Sequence, residues 1–133
     1  MTQKLTILFD LDGTLVDTAP DLVNAHKHVM KKFGFETKAT DDIKKLVGRG
    51  AKSLIYRSIY NTAKKEFRKF TDESTKEEMV KEFIDYYGRN INNESKLIDG
   101  VIDFLSWCKN EKISMGVCTN KQEHLAIDLI KKI

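Results

Sequence analysis

Thr6-Ile7-Leu8-Phe9-Asp10-Leu11-Asp12-Gly13-Thr14-Leu15-Val16-Asp17 is the stretch that decides the fold, because an apolar run ends abruptly in paired carboxylates and a glycine. Branched and aromatic residues without polar alternation predict a strand buried on both faces, as in the parallel sheet of an α/β domain. Such domains place function at the carboxyl ends of their strands. Side chains two apart on a strand point the same way, so Asp10 and Asp12 are expected to face one pocket while Gly13 turns the chain. A strand leaving its sheet through an Asp/Gly turn would explain Gly13, but not two acids at the end of a hydrophobic run.

Neighbouring carboxylates push apart in their titration, so that one stays charged while the other holds a proton. That division suits a nucleophile working with a general acid and base. It also suits a hard divalent cation such as magnesium, which prefers carboxylate and carbonyl oxygens.

Outward from this stretch the chain turns helical. Thr18, Pro20 and Asp21 read as a helix start, with Leu22, Ala25 or His26, Val29, Met30 and Phe33 on one face and Gly34 as the stop. Thr40 is expected to cap a helix over Asp41 to Val47, and Ala51 to Asn61 reads as another, with Gly48-Arg49-Gly50 between them. Ser74 followed by Glu77 forms a capping-box pattern for a helix bearing Met79, Val80, Phe83, Ile84 and Tyr87 on one side, which Gly88 weakens or ends. Lys64 to Lys76 is the most charged and least periodic stretch, read as a loop or a solvated helix end.

An α/β pattern then resumes. Gly100 precedes an amphipathic helix with Val101, Ile102, Leu105 and Cys108 on one face, and Ile113 to Cys118 forms a second apolar run. It ends in Thr119-Asn120-Lys121, before a last helix carrying Leu125, Ala126, Leu129, Ile130 and Ile133. Thr119 and Asn120 either cap that helix or, together with its free amides, bind an anion. The paired acids on the other strand favour the anion, since both strand ends would converge on one site.

The bulk properties fit a single soluble domain. There are 133 residues, 32% of them charged, and the formal net charge is +3. This basic excess is too small and too dispersed to argue for nucleic acid. No apolar run approaches membrane-spanning length, and Met1 to Lys4 leads straight into the strand, so the expectation is a cytoplasmic protein with neither a signal peptide nor a membrane partner. Cys108 and Cys118 lack disulfide or metal spacing, and Cys118, ending an apolar run, is expected to be buried and inert. His26, His28 and His124 show no ligand-like grouping.

The run Asp10 to Leu22 resembles the D-x-D-G-T signature of the haloacid dehalogenase superfamily in its phosphatase version. With Val47-Gly48-Arg49-Gly50-Ala51 and Cys118-Thr119-Asn120-Lys121, most of the chain looks like the phosphoglycolate phosphatase family. The resemblance implies a partial Rossmann-like parallel-sheet core over residues 1–16 and 94–133, with residues 17–93 inserted as an all-helical cap. It implies that Asp10 attacks phosphorus to form an aspartyl-phosphate and that Asp12 protonates the leaving alcohol and then activates water. Magnesium would sit on Asp10 and the backbone carbonyl of Asp12. Gly13, Thr14, Thr119, Asn120 and Lys121 would bind the phosphoryl group. Arg49, flanked by glycines at a tight inter-helix turn, is either an exposed arginine with no role or the group that takes the carboxylate of a small acidic phosphorylated substrate. An acid at position 12 disfavours the dehalogenases and phosphonate hydrolases of the superfamily, whose leaving groups need no proton.

The family's later lysine and acidic motif have no counterpart in these 133 residues. The resemblance therefore leaves two expectations of different class: a magnesium-dependent phosphatase, or a catalytically weak remnant that binds phosphate, magnesium or a protein partner. A sheet lacking strands also exposes an edge through which a homo-oligomer could pair.

Overall fold

The computed structural model describes residues 4–37, 39–62 and 72–133. Its first apolar run forms β1 (Thr6–Phe9), and the second forms β4 (Ser114–Val117). They pair in parallel, with Thr6 opposite Ser114 and Phe9 opposite Val117. Both strands therefore end at one edge, where Asp10 and Thr119 begin their loops. Between them come β2 (Val16–Asp17) and β3 (Lys96–Leu97), which pair antiparallel and lie outside the main sheet.

A turn joins β1 to β2. The amides of Thr14, Leu15 and Val16 all donate to the carbonyl of Leu11, and Gly13, at φ +78°, donates to Val16. The helices that follow are α1 (Ala19–Lys32), α2 (Thr40–Lys44), α3 (Ala51–Thr62) and α4 (Glu73–Arg89). After β3 the chain continues through α5 (Val101–Asn110) to β4 and ends in α6 (Glu123–Lys132).

The buried core lies on the helical side of the sheet. Leu11 and Val16 join Val29 and Met30 of α1, Ile55 of α3 and Phe83 and Tyr87 of α4, and α6 adds Leu125, Ala126 and Leu129. Gly88 does not break α4. It lies within the last turn, where an added Cβ would meet Leu125 Cδ2 at 3.3 Å, so its missing side chain permits α4 and α6 to approach.

Several expectations change here. Strand β1 is not buried on both faces: Leu8 is 67% exposed, because among the described residues β1 pairs with β4 alone. Phe104 of α5 packs edge-on against Phe9, whereas Leu5, Met115 and Val117 remain open. Helix α5 buries Cys108 but leaves Ile102 and Trp107 exposed, and α6 leaves Ile130 exposed. Cys118 is exposed rather than buried, since it follows β4 at the open sheet edge.

Caps also move. Asp72 caps α4, its carboxylate accepting from the Thr75 amide at 2.7 Å; with an extended backbone it precedes the helix, whereas Ser74 lies inside it. Ala39 holds the cap position of α2, which stops at Lys44, and Gln122 rather than Thr119 or Asn120 precedes α6. Of the charged stretch 64–76, residues 64–71 lie outside the described part, and Glu73 to Lys76 form the first turn of α4.

Candidate active site

The strand ends open onto a cleft between the sheet edge and the helical segment. Asp10, Asp12, Thr119, Asn120 and Lys121 line its polar side, while Leu54, Phe83 and Leu125 contribute to its apolar side. Five of the residues expected at a site from the sequence thus meet in one place. Gly13 and Thr14 are exposed on the β1–β2 turn and are not among the lining residues. Arg49 is exposed as well, although Gly48 and Gly50 on either side of it border the cleft.

Asp10 is the more open of the two acids, and its Oδ1 accepts from the Leu11 amide at 2.8 Å. Asp12 is more enclosed. Its Oδ1 receives the Thr18 hydroxyl at 2.7 Å and lies 3.0 Å from Lys121 Nζ. Thr18 sits at the N-cap of α1 without capping it; its backbone is right-handed helical rather than extended, and its hydroxyl donates to Asp12. In turn, Asp21, expected as an acid of the first helical turn, accepts from the backbone amides of Glu94 and Ser95 and from the Ser95 hydroxyl. It ties the start of α1 to the chain just before β3.

Thr119 Oγ1 accepts from the Lys121 amide at 3.1 Å, which leaves its own hydrogen to donate. Asn120 Nδ2 donates to the Gly48 carbonyl at 2.9 Å and holds the Gly48–Gly50 turn against the loop after β4. Lys121 turns inward. Besides Asp12 it donates to the Tyr87 hydroxyl at 2.7 Å, with Nζ 4.2 Å from the ring centroid. Burial holds its pKa below the usual lysine value, and the neighbouring Asp12 partly opposes that shift. Burial, with the carboxylates of Asp12 and then Asp21, pushes the Tyr87 phenol far above its ordinary range, so it stays neutral.

Sequence reasoning missed Thr18 and Tyr87 as parts of this network. Tyr87 did carry a signal: a tyrosine on the buried stripe of a helix needs a partner for its hydroxyl.

The oxygen donors suit a hard cation in kind. The Asp10 carboxylate and Asp12 carbonyl are the ligand types magnesium takes, and magnesium keeps several waters of its own. Among the described residues no cluster of three or more histidine, cysteine or acidic side chains could hold a metal by itself, so these two donors would form part of a coordination shell.

Parallel strands that deliver paired acids and a Thr-Asn-Lys loop to one cleft are the arrangement expected of the haloacid dehalogenase family. The chain belongs to that family: residues 7–133 match the one described as "Haloacid dehalogenase-like hydrolase". It is 37% identical over 126 residues to a phosphoglycolate phosphatase from Agrobacterium fabrum, covering 95% of this chain and 52% of that protein. It is 38% identical over 128 residues to a phosphoglycolate phosphatase from Caulobacter vibrioides, covering 96% of this chain and 52% of that one. The crystal structure of a predicted phosphoglycolate phosphatase from Haemophilus somnus superposes with a TM-score of 0.89 at 29% identity, over all of this chain and 59% of that one. The chain thus spans about half the length of the curated relatives it matches. No helix of the described residues is long and apolar enough to cross a membrane.

Proposed function

We propose that the chain carries the nucleophile and phosphoryl-binding loop of a phosphomonoester hydrolase acting on a small phosphorylated acid, with phosphoglycolate the first substrate to test. The observation that carries this reading is the meeting of Asp10, Asp12, Thr119 and Lys121 in one cleft. Residues 17–93 act as a helical cap over a core formed by residues 1–16 and 94–133, supported by the contact of Asn120 with the Gly48 turn.

An oxygen of Asp10 attacks phosphorus, the bond from phosphorus to the ester oxygen breaks, and Asp12 gives that oxygen its proton. Water activated by Asp12 then attacks the aspartyl-phosphate, releasing phosphate and restoring Asp10. The Thr119 hydroxyl and the Lys121 ammonium offset charge on the phosphoryl oxygens. Magnesium, held by Asp10 and the Asp12 carbonyl, would supply further neutralisation of that charge. Arg49, on the turn bordering the cleft, is the side chain assigned to the carboxylate of the substrate.

The test is beryllofluoride with magnesium, which mimics a phosphorylated carboxylate, followed by NMR on the wild type and on Asp10→Asn. Shifts at Asp10, Asp12 and Thr119 that vanish in the variant support the reading. Full phosphatase turnover by Asp10→Asn would overturn nucleophilic catalysis by this residue.

A further inference from the structure

Tyr87 comes from the last turn of α4 and Lys121 from the loop after β4, yet both side chains are almost wholly enclosed. Tyr87 is 1% exposed and the Lys121 side chain 4%. A buried ammonium is costly unless its charge is balanced and its hydrogens are taken up. Asp12 Oδ1 supplies the balance at 3.0 Å, and the Tyr87 hydroxyl takes a second N–H at 2.7 Å. The ammonium has three donors, so one remains for a group entering the cleft that Lys121 lines.

Without Tyr87, the flexible four-carbon stem of lysine could swing Nζ anywhere its attraction to Asp12 allowed. The hydroxyl and the ring face together fix it on one side of Asp12. That anchor belongs to the helical segment, whereas Asp12 and Lys121 both belong to the loops at the sheet edge.

We propose that Tyr87 is a positioning residue, which holds the Lys121 ammonium in the cleft beside Asp12 and so makes the affinity for a phosphoryl group depend on α4 lying against the sheet edge. The proposal rests on the reading of Lys121 as a phosphoryl-binding residue. Tyr87 touches no reacting atom and acts only through the lysine.

The experiment measures binding of inorganic phosphate by NMR titration of the full chain, for wild type, Tyr87→Phe, Lys121→Met and the double variant. Tyr87→Phe keeps the ring and loses the acceptor, so phosphate should bind about tenfold to a hundredfold more weakly, the effect of one lost hydrogen bond to a charged group. In the Lys121→Met background the same change should alter affinity by less than about twofold, because the partner through which it acts is gone. An equal loss in both backgrounds would mean Tyr87 is merely structural and would overturn the proposal.

A second readout needs no ligand. A shielded lysine ammonium gives a proton–nitrogen correlation that rapid exchange with water otherwise erases. The Lys121 signal should be present in wild type and broadened away in Tyr87→Phe; its persistence unchanged would overturn the positioning role. If phosphate binds equally well to Lys121→Met, the phosphoryl-binding reading fails, while the ammonium signal still decides whether Tyr87 holds the lysine.

Discussion

Asp21 shows how a residue can satisfy a local pattern and serve a distant purpose. An acid three residues after a threonine is a helix-start signature, yet both carboxylate oxygens go to residues 94 and 95. Asp21→Ala would leave the buried Ser95 amide and hydroxyl unpaired, with an expected loss of about 3 kcal/mol in urea denaturation. A loss below about 1 kcal/mol would show that water replaces the carboxylate there. Asp12 gives a kinetic prediction. Asp12→Asn should slow hydrolysis of alkyl phosphates far more than of activated aryl phosphates, whose leaving groups need little protonation; equal slowing of both would argue against proton donation. At this scale the sequence was informative where chemistry is local. Asp10, Asp12, Thr119, Asn120 and Lys121 occupy two short motifs at strand ends, and all five reach the cleft. The partners of Thr18, Asp21 and Tyr87 were not legible, because each hydrogen bond depends on how separate elements pack.

Helices and strands were legible from periodicity, and their ends less so. An apolar stripe extends over many residues, whereas a cap is decided by one side chain competing with its neighbours, as Asp72 does with Ser74. The pairing of α1 with α4 is tested by pH. Glu82 of α4 accepts from His28 at 2.9 Å and from Lys32 at 3.1 Å, and these bonds, that with His28 foremost, hold its pKa below the ordinary value of 4.5. A carboxylate depressed in the folded state stabilises it above 4.5, and that contribution fades as pH falls through the lower folded value. The stability difference between wild type and Glu82→Gln should therefore shrink as pH falls below 4.5. A difference independent of pH would assign the effect to packing. The turn before α3 gives another test. Gly50 has φ +87°, and an added Cβ would lie 3.1 Å from the Asn120 carbonyl oxygen. Gly50→Ala should cost about 1–2 kcal/mol in thermal unfolding and loosen the Gly48–Asn120 contact.

The molecule as a whole is lopsided. Its buried core joins the helical segment to α6, while Leu8 on one face of the sheet, Met115 and Val117 on the other, and Leu5, Ile102 and Trp107 lie in the open. This imbalance was not legible in the sequence, since the run through Leu8 has the composition of a strand covered on both sides. Leu8→Lys should accordingly raise the solubility limit and change the melting temperature little, where the same change at a core position would unfold the protein. A large drop in melting temperature would show that Leu8 is covered in solution, and sedimentation would then decide whether a second copy covers it. Turnover is the other property of the whole. Phosphate monoesters are among the slowest uncatalysed substrates, and an efficient hydrolase lowers the barrier by roughly 20 kcal/mol or more, much of it from preorganised charge. With one lysine in the cleft, these 133 residues alone are expected to turn over phosphoglycolate at least about a hundredfold more slowly than the Caulobacter relative assayed beside them. Comparable rates would mean that Lys121 supplies the positive charge unaided.

The two thiols offer a spectroscopic handle that needs no engineering. Cys118 is exposed and Cys108 buried, so a maleimide dye should attach at a single position in the native protein. That position adjoins Thr119, one peptide from the loop read as binding phosphate. Its fluorescence should register occupancy of the cleft in real time, with the unreacted Cys108 becoming accessible only on unfolding, so that one reagent reports ligand binding and global stability in the same cuvette.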